Sequence, residues 1–327
     1  MTIKDFDFQL PKELIAQTPA SPRDSARLLV YDRSTQTIVD DVFYNLADHL
    51  NPKTTLVLNK AKVDKCRLIF GKVEIFVLET YNDKSIKAMV RPGKKFKKGD
   101  RLQLTNDISA TVDEIDENGH RYLSFGLPLD DQRFKPHMLT PLPPYIAQDE
   151  TLAGEYQTVY AKDSGSKAAP TAGLHFTPQL LSSIAESWPI VEVTLNVSLG
   201  TFAPIGETEI QAKKLHEESY SISKTAAVQL NQACHITAVG TTSIRTLESA
   251  YASGFKPVNL ATTDAFIQPG DQLQVVNDVI TNFHLPSTSL LMLIATFTGR
   301  DELMHIYHHA IKQKYRFYSF GDAMLIK

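Results

Sequence analysis

Three short segments of this 327-residue chain gather small, hydroxyl and histidine residues where a loop runs into a helix. The first is Ala169-Pro170-Thr171-Ala172-Gly173-Leu174-His175-Phe176-Thr177, followed by Pro178. Thr177 reads as an N-cap and Pro178 as the first helical residue, opening a helix to about Ser187. Helix N-termini present unpaired N–H groups and partial positive charge. The loop with Thr171 and Gly173 can therefore hold an anion or a hydroxyl-bearing ligand, with His175 placed for proton transfer. A tight turn with a structural histidine fits equally well. The second segment, Val239-Gly240-Thr241-Thr242-Ser243-Ile244-Arg245, runs from a strand into a helix. A glycine and three hydroxyl residues at open amides suit a carboxylate or a ribose. Arg245 and Glu248 stand one turn apart on that helix, so an ordinary cap with an ion pair is the simpler account. The third is Thr281-Asn282-Phe283-His284-Leu285-Pro286-Ser287-Thr288-Ser289. Asn282 and His284 are polar among apolar neighbours; buried polar groups need partners, and a ligand can be one.

Other candidates are weaker. Lys214-Leu215-His216-Glu217-Glu218 offers an acid/base pair in His216 and Glu218, although His-x-Glu is common on solvated segments. Tyr156-Gln157-Thr158-Val159-Tyr160 has β character and two phenols that either stack on a base or fill a core. Glycine-rich dinucleotide and phosphate loops, HExxH, EF-hand and Gly-x-Ser-x-Gly patterns are all missing. Metal, nucleoside triphosphate and nucleophile-elbow chemistry therefore lack support, and no metal ligand set is expected. Cys66 and Cys234 match no Cys-x-x-Cys pattern and read as reduced thiols of a cytoplasmic protein. No apolar run approaches the roughly 18 residues of a membrane span. Met1–Asp7 shows no apolar signal core, so no secretion is expected.

The elements that must position these residues divide into two textures. Ser25–Asp32 and Thr37–Phe43 read as paired strands around Arg33–Gln36, and Leu56–Asn59 as a short strand. From Val73 to Gly126 short alternating runs follow: Val73–Thr80, Ile86–Val90, Arg101–Thr105, Ala110–Ile115 and Arg121–Phe125. Asn82-Asp83, Pro92-Gly93, Asn106-Asp107 and Asn118-Gly119 separate them, which predicts a small antiparallel barrel or sandwich. After the stiff Pro141-Leu142-Pro143-Pro144, α/β texture returns. Strands are expected at Ile190–Val197 and His235–Gly240, and helices at Ser223–Cys234, Thr242–Ser253, Ser287–Phe297 and Arg300–Lys314. Hydrophobic residues make up 43%, and one core for this length would be unusually large, so two domains are expected. The fold class is α+β. Residues 1–62 and 145–327 form a large discontinuous α/β domain, with a small antiparallel β-barrel domain, 63–144, inserted in it.

Charge sharpens this division. The net charge is −3, but residues 60–101 hold 13 Lys/Arg against 5 Asp/Glu, a net of +8, leaving −11 elsewhere. A local basic stripe can bind phosphate when the whole chain cannot. The turn Lys94-Lys95-Phe96-Lys97-Lys98 lies in this stripe, as a solvated loop or a grip on phosphates with Phe96 beside it.

Taken in order along the chain, these blocks resemble the S-adenosylmethionine:tRNA ribosyltransferase-isomerases of queuosine biosynthesis. The resemblance runs from Asp5-Phe6-Asp7-Phe8 through Val90-Arg91-Pro92-Gly93, Pro143-Pro144-Tyr145-Ile146 and the three loop-to-helix segments to Gly321-Asp322-Ala323-Met324. It implies an inserted β-barrel domain and a reaction that moves the ribosyl part of S-adenosylmethionine onto 7-aminomethyl-7-deazaguanine (preQ1) in a tRNA anticodon. Epoxyqueuosine-tRNA, adenine and methionine are its products. S-adenosylmethionine is then a co-substrate, with no prosthetic group. His175 and His284, then His216 with Glu218, are the expected acid/base residues. Thr171, Gly173, Gly240, Thr241, Thr242, Ser243, Arg245 and Asn282 are expected to hold S-adenosylmethionine, with Arg245 on its carboxylate or ribose.

Two blocks depart from the family. Asn59-Lys60-Ala61-Lys62-Val63 replaces the usual Asn-Asp-Thr-Arg/Lys-Val. Leu195-Asn196-Val197-Ser198-Leu199-Gly200-Thr201-Phe202 lacks the usual histidine and one glycine. They favour the alternative of a same-fold paralogue with altered or lost catalysis, a non-catalytic RNA-binding module.

Overall fold

A computed structural model describes residues 1–146, 149–198, 212 and 214–327. The chain divides into two compact units, Met1–Lys62 with Pro144–Ala147 and Gly154–Lys327, and Val63–Pro143 with Gln148–Ala153.

The first unit is a mixed α/β structure around a nine-stranded sheet. Its strands run, edge to edge, Val258–Ala265, Lys214–Ile222, Ile190–Asn196, Thr54–Asn59, His235–Val239, Asp278–Asn282, Ala323–Ile326, Arg27–Asp32 and Thr37–Val42. The four central strands from Ile190–Asn196 to Asp278–Asn282 pair in parallel. All residues of Thr54–Asn59 and Asp278–Asn282 are buried, as expected where both faces of a parallel sheet are covered. Alternate residues serve two cores. Val57, Ala238 and Val279 join the helices Lys224–Gln232, Thr241–Ala250, Ser289–Thr298 and Arg300–Lys312. Leu56, Val239 and Ile280 join Phe43, Phe176 and the helix Pro178–Ala185.

Local signals place the helix starts well. Thr177 Oγ1 accepts from the Leu180 N–H at 3.1 Å, and Ser223 Oγ accepts from the Ala226 N–H at 3.1 Å. The helix expected from Ser287 starts at Ser289 instead, because Ser287 adopts φ +54°, outside the right-handed helical region. Tyr156–Tyr160 is turn rather than strand. The Arg23 guanidinium takes up its backbone, donating to the carbonyls of Gln157 at 2.7 Å and Glu155 at 3.2 Å, so no ladder is needed. Tyr156 and Tyr160 are both core residues.

The second unit carries a seven-stranded antiparallel sheet. Its order is Met138–Leu139, Arg67–Phe70, Val73–Thr80, Ser85–Arg91, Arg121–Phe125, Ser109–Ile115 and Arg101–Gln103. The two outermost strands do not pair among the described residues, so the sheet is open rather than a closed barrel. Phe96 is fully buried with Phe70, Phe125 and Phe134, which removes it from any contact with a partner. Lys94, Lys95, Lys97 and Lys98 around it are exposed. Cys66 is buried and Cys234 exposed, and the two form no disulfide. Among the described residues no helix is long and apolar enough to cross a membrane.

Candidate functional site

The parallel strands His235–Val239 and Asp278–Asn282 are neighbours, so they deliver their following loops to the same edge of the sheet. Ligands of α/β proteins bind at such carboxyl ends. After the first strand Gly240 takes φ +84° and ψ 154°, a region essentially restricted to glycine. The helix that follows, from Thr241, has no side-chain cap; the Ser243 N–H turns back to the Gly240 carbonyl at 3.1 Å, which leaves the amides of Thr241 and Thr242 open. The short turn Thr171–His175 packs against the Asp278–Asn282 strand and brings the third loop to the same place. Together the three segments wall a cavity of about 320 Å³. Thr171, Gly240, Thr241, Thr242, Asn282 and His284 line it.

Its polar inventory is specific. The Asn282 side chain donates from Nδ2 to His175 Nε2 at 3.1 Å, while Asn282 Oδ1 is buried without a partner. Thr242 Oγ1 is also buried without one. Each orphan costs about 1–3 kcal/mol unless something bonds to it, so the site is incomplete as a purely structural arrangement. His284 sits at 3.1 Å from Thr281 Oγ1 through its Nε2, and its backbone N–H donates to the Tyr307 hydroxyl at 3.0 Å. Burial pushes both imidazoles down to about 3, helped at His175 by the charges of Arg316 and Arg23. Both are therefore neutral near pH 7. His175 accepts at Nε2, so its proton is on Nδ1.

Three expected residues stand elsewhere. Arg245, Glu218 and His216 border a second small cavity of about 30 Å³ that shares Thr241 and Thr242 with the first. Arg245 is 5% and Glu218 3% exposed, and the two form a buried ion pair. Arg245 Nε also donates to the Ala265 carbonyl at 3.2 Å, and Glu218 Oε1 accepts from the Ser198 N–H at 3.1 Å. The guanidinium is thus directed onto the protein. The anticipated Arg245–Glu248 pair does not form, because Glu248 accepts from the N–H groups of Gln274, Val275 and Val276 at 2.7–3.1 Å. His216 is exposed. Gly173 and Ser243 do not line the cavity but shape it. A Cβ at Gly173 would lie 1.9 Å from the Tyr160 hydroxyl, and Ser243 Oγ donates to the Val239 carbonyl at 2.7 Å.

The departure at 59–63 has local answers, whereas at 196–198 Asn196 Oδ1 and Ser198 Oγ are buried without a partner. Asn59 is fully buried and ties strands together, donating to the Leu195 carbonyl at 2.9 Å and accepting from the N–H groups of Leu195 at 3.0 Å and Ala61 at 3.1 Å. Lys60 meets Asp163 at 3.3 Å, which neutralises its reversed charge. Asn196 Nδ2 donates to Ser219 Oγ at 3.2 Å. Leu199-Gly200-Thr201-Phe202 lies outside the described residues.

A family model described as "Queuosine biosynthesis protein" matches residues 3–326. The chain belongs to the queuosine biosynthesis protein family. Among its relatives, the S-adenosylmethionine:tRNA ribosyltransferase-isomerase of Thermotoga petrophila is 44% identical over 336 residues, covering all of both chains. That of Carboxydothermus hydrogenoformans is 42% identical over 337 residues, again at full coverage. A solved structure of an S-adenosylmethionine tRNA ribosyltransferase from Thermotoga maritima matches with TM-score 0.57 and 37% identity. The match covers 99% of this chain and 100% of that one.

The cavity of this family member also contains residues that spacing did not single out. Val197, Tyr318 and Ser319 line it. Tyr318 and Ser319 arrive from the end of the chain, far in sequence from the other three segments. The sequence flagged their neighbours Tyr315-Arg316-Phe317 and Gly321-Asp322 but not these two residues.

Proposed function

We propose that this chain is an S-adenosylmethionine:tRNA ribosyltransferase-isomerase that acts on preQ1 in a tRNA anticodon. The observation that carries the reading is the single cavity built from the three small-residue segments, with Asn282 Oδ1 and Thr242 Oγ1 buried and unpartnered in its wall. S-adenosylmethionine suits this wall. Its carboxylate matches the open helix N-terminus at Thr241, and its ribose hydroxyls match Thr171 and Thr242. A cavity of about 320 Å³ falls in the range of small-molecule sites.

The chemistry needs a base, a group near adenine, and orientation of two large substrates. The sulfonium activates the adjacent C5′ by charge, so a base can take that proton. The C5′ carbon bonds to C1′ as the C1′–ring-oxygen bond opens, and that oxygen closes the epoxide on C5′, displacing methionine with the carbon–sulfur electron pair. Attack of the preQ1 amine at C1′ expels adenine. A general base works best with a pKa near the working pH, and buried imidazoles held near 3 are poor ones. His175 and His284 are therefore given orienting roles, on Asn282 and on the Thr281 loop. The proton transfer is given to His216, exposed at the edge of the adjoining cavity, with Glu218 ion-paired to Arg245 beside it.

Residues 63–144 act in this reading as an inserted domain that meets the tRNA through the exposed lysines of the 94–98 turn. The protein works in the cytoplasm with tRNA and S-adenosylmethionine as substrates, and no prosthetic group is invoked.

Calorimetry with S-adenosylmethionine alone tests the reading. Saturable binding without tRNA is expected, weakened by Asn282→Leu. Tight tRNA binding with no S-adenosylmethionine binding would contradict it and identify an RNA-binding module instead.

A further inference from the structure

One wall of the cavity is aromatic and unusually constrained. Tyr318 lines the cavity and is half-buried. It adopts φ +77°, a region that a bulky residue occupies only when its surroundings impose it. Three contacts impose it here. Its N–H donates to the Phe283 carbonyl at 2.8 Å, one residue beyond Asn282. Its carbonyl accepts from the Gly321 N–H at 2.9 Å, closing a turn so tight that a Cβ at Gly321 would lie 2.5 Å from the Phe317 carbonyl carbon. The Tyr145 ring backs it with centroids 4.0 Å apart, and the Tyr145 hydroxyl is itself bonded to Ser319 Oγ. The backbone and the ring of this cavity-lining residue are thus both held in place.

The Asn282 amide belongs to the same wall. His175 Nε2 accepts from Asn282 Nδ2, which leaves the other amide atom, the acceptor Oδ1, buried without a partner in a residue that lines the cavity. A flat face and a lone fixed acceptor are what a planar ring with an exocyclic amine requires.

We propose that Tyr318 and Asn282 form a subsite for a purine-type base, its ring stacked on Tyr318 and its exocyclic amine donating to Asn282 Oδ1. His175 is the positioning residue that fixes the amide. A base with a carbonyl at that position would place two acceptors face to face and is rejected. The inference rests on the proposed function, which supplies two sources of such a ring: the adenine of S-adenosylmethionine and the deazaguanine of the tRNA.

Two measurements test it. Binding of S-adenosylmethionine and the KM for preQ1-tRNA are compared for the wild type, Tyr318→Phe and Tyr318→Leu, with thermal melting as the check of folding. The phenylalanine variant keeps an aromatic face and should lose less than the leucine variant. The leucine variant should lose about tenfold, the typical worth of a stacked base. A loss in S-adenosylmethionine affinity identifies adenine as the ring, and a rise in the tRNA KM alone identifies the tRNA base. Wild-type values on both counts overturn the platform. The second measurement needs no variant: free adenine, guanine and hypoxanthine are compared as inhibitors of the wild type. Adenine or guanine should inhibit roughly tenfold or more better than hypoxanthine, which lacks the amine. Equal inhibition by all three overturns the role of Asn282. A wild-type protein that binds no S-adenosylmethionine refutes the functional reading instead, so the two failures are distinguishable.

Discussion

Lowering the pH from about 7.5 to about 5 should cost this fold about 4 kcal/mol through two histidines alone. His175 and His284 are 4% and 6% exposed, and their folded-state values lie near 3 against an ordinary 6.5. Both bind a proton less readily folded than unfolded. Their contribution to stability is therefore complete above the unfolded value and is lost as pH falls from 6.5 toward 3. At about pH 5 the unfolded imidazoles are mostly protonated and the folded ones are not, which amounts to about 2 kcal/mol per histidine. Urea unfolding at both pH values, for the wild type, His175→Gln, His284→Gln and the double variant, isolates the effect. Glutamine keeps a donor and an acceptor but does not titrate. The wild type should lose about 4 kcal/mol more than the double variant between the two pH values, and each single variant about half of that excess. Identical pH dependence in the wild type and the double variant would refute the reasoning. It would mean that the two imidazoles are already charged or hydrated when folded, and would reopen their assignment to proton transfer.

Three further outcomes are expected. Gly173→Ala drives a methyl to 1.9 Å from the Tyr160 hydroxyl, 2.8 Å from its Cζ and 2.9 Å from Thr158 Cγ2, and should destabilise by about 2–3 kcal/mol in denaturant titrations. A change below about 0.5 kcal/mol would show that the Thr171–His175 turn is not packed this closely. Glu218→Gln leaves the buried Arg245 charge unpaired and should cost about 3–5 kcal/mol, whereas Glu218→Leu with Arg245→Met should cost less than the two single changes added, as a double-mutant cycle would read. Replacing Lys94, Lys95, Lys97 and Lys98 by glutamine should weaken tRNA binding and flatten its salt dependence, and an unchanged slope would remove that turn from the interface.

Much of the scaffold was legible because its signals are local. Thr177-Pro178 and Ser223 cap helices where their residue types predict, and the turns at Asn82-Asp83 and Asn118-Gly119 separate strands. The three candidate segments were also visible, since glycine and hydroxyl residues at strand ends and helix starts carry a physical meaning one by one. That they share one cavity was not visible. It depends on His235–Val239 lying beside Asp278–Asn282, a pairing set by the whole sheet. Arg245 illustrates the same limit. Helical spacing offered Glu248, three residues away, but the tertiary partner is Glu218 on a strand. Phe96 among four lysines read as part of a solvated loop or of a grip on phosphates, yet the hydrophobic core of the second unit takes it in. Tyr318 had no local signature, because its constraint comes from Phe283, Gly321 and Tyr145 together.

The most direct test of the central claim is adenine release from S-adenosylmethionine by the purified protein, followed with tRNA that carries preQ1 and with the same tRNA carrying guanine in its place. Release of adenine and methionine only with the preQ1-bearing tRNA, matched by a mass gain on that tRNA, is the result predicted. No release with either tRNA, from a folded protein that binds both substrates, would contradict the assignment of catalysis to this chain.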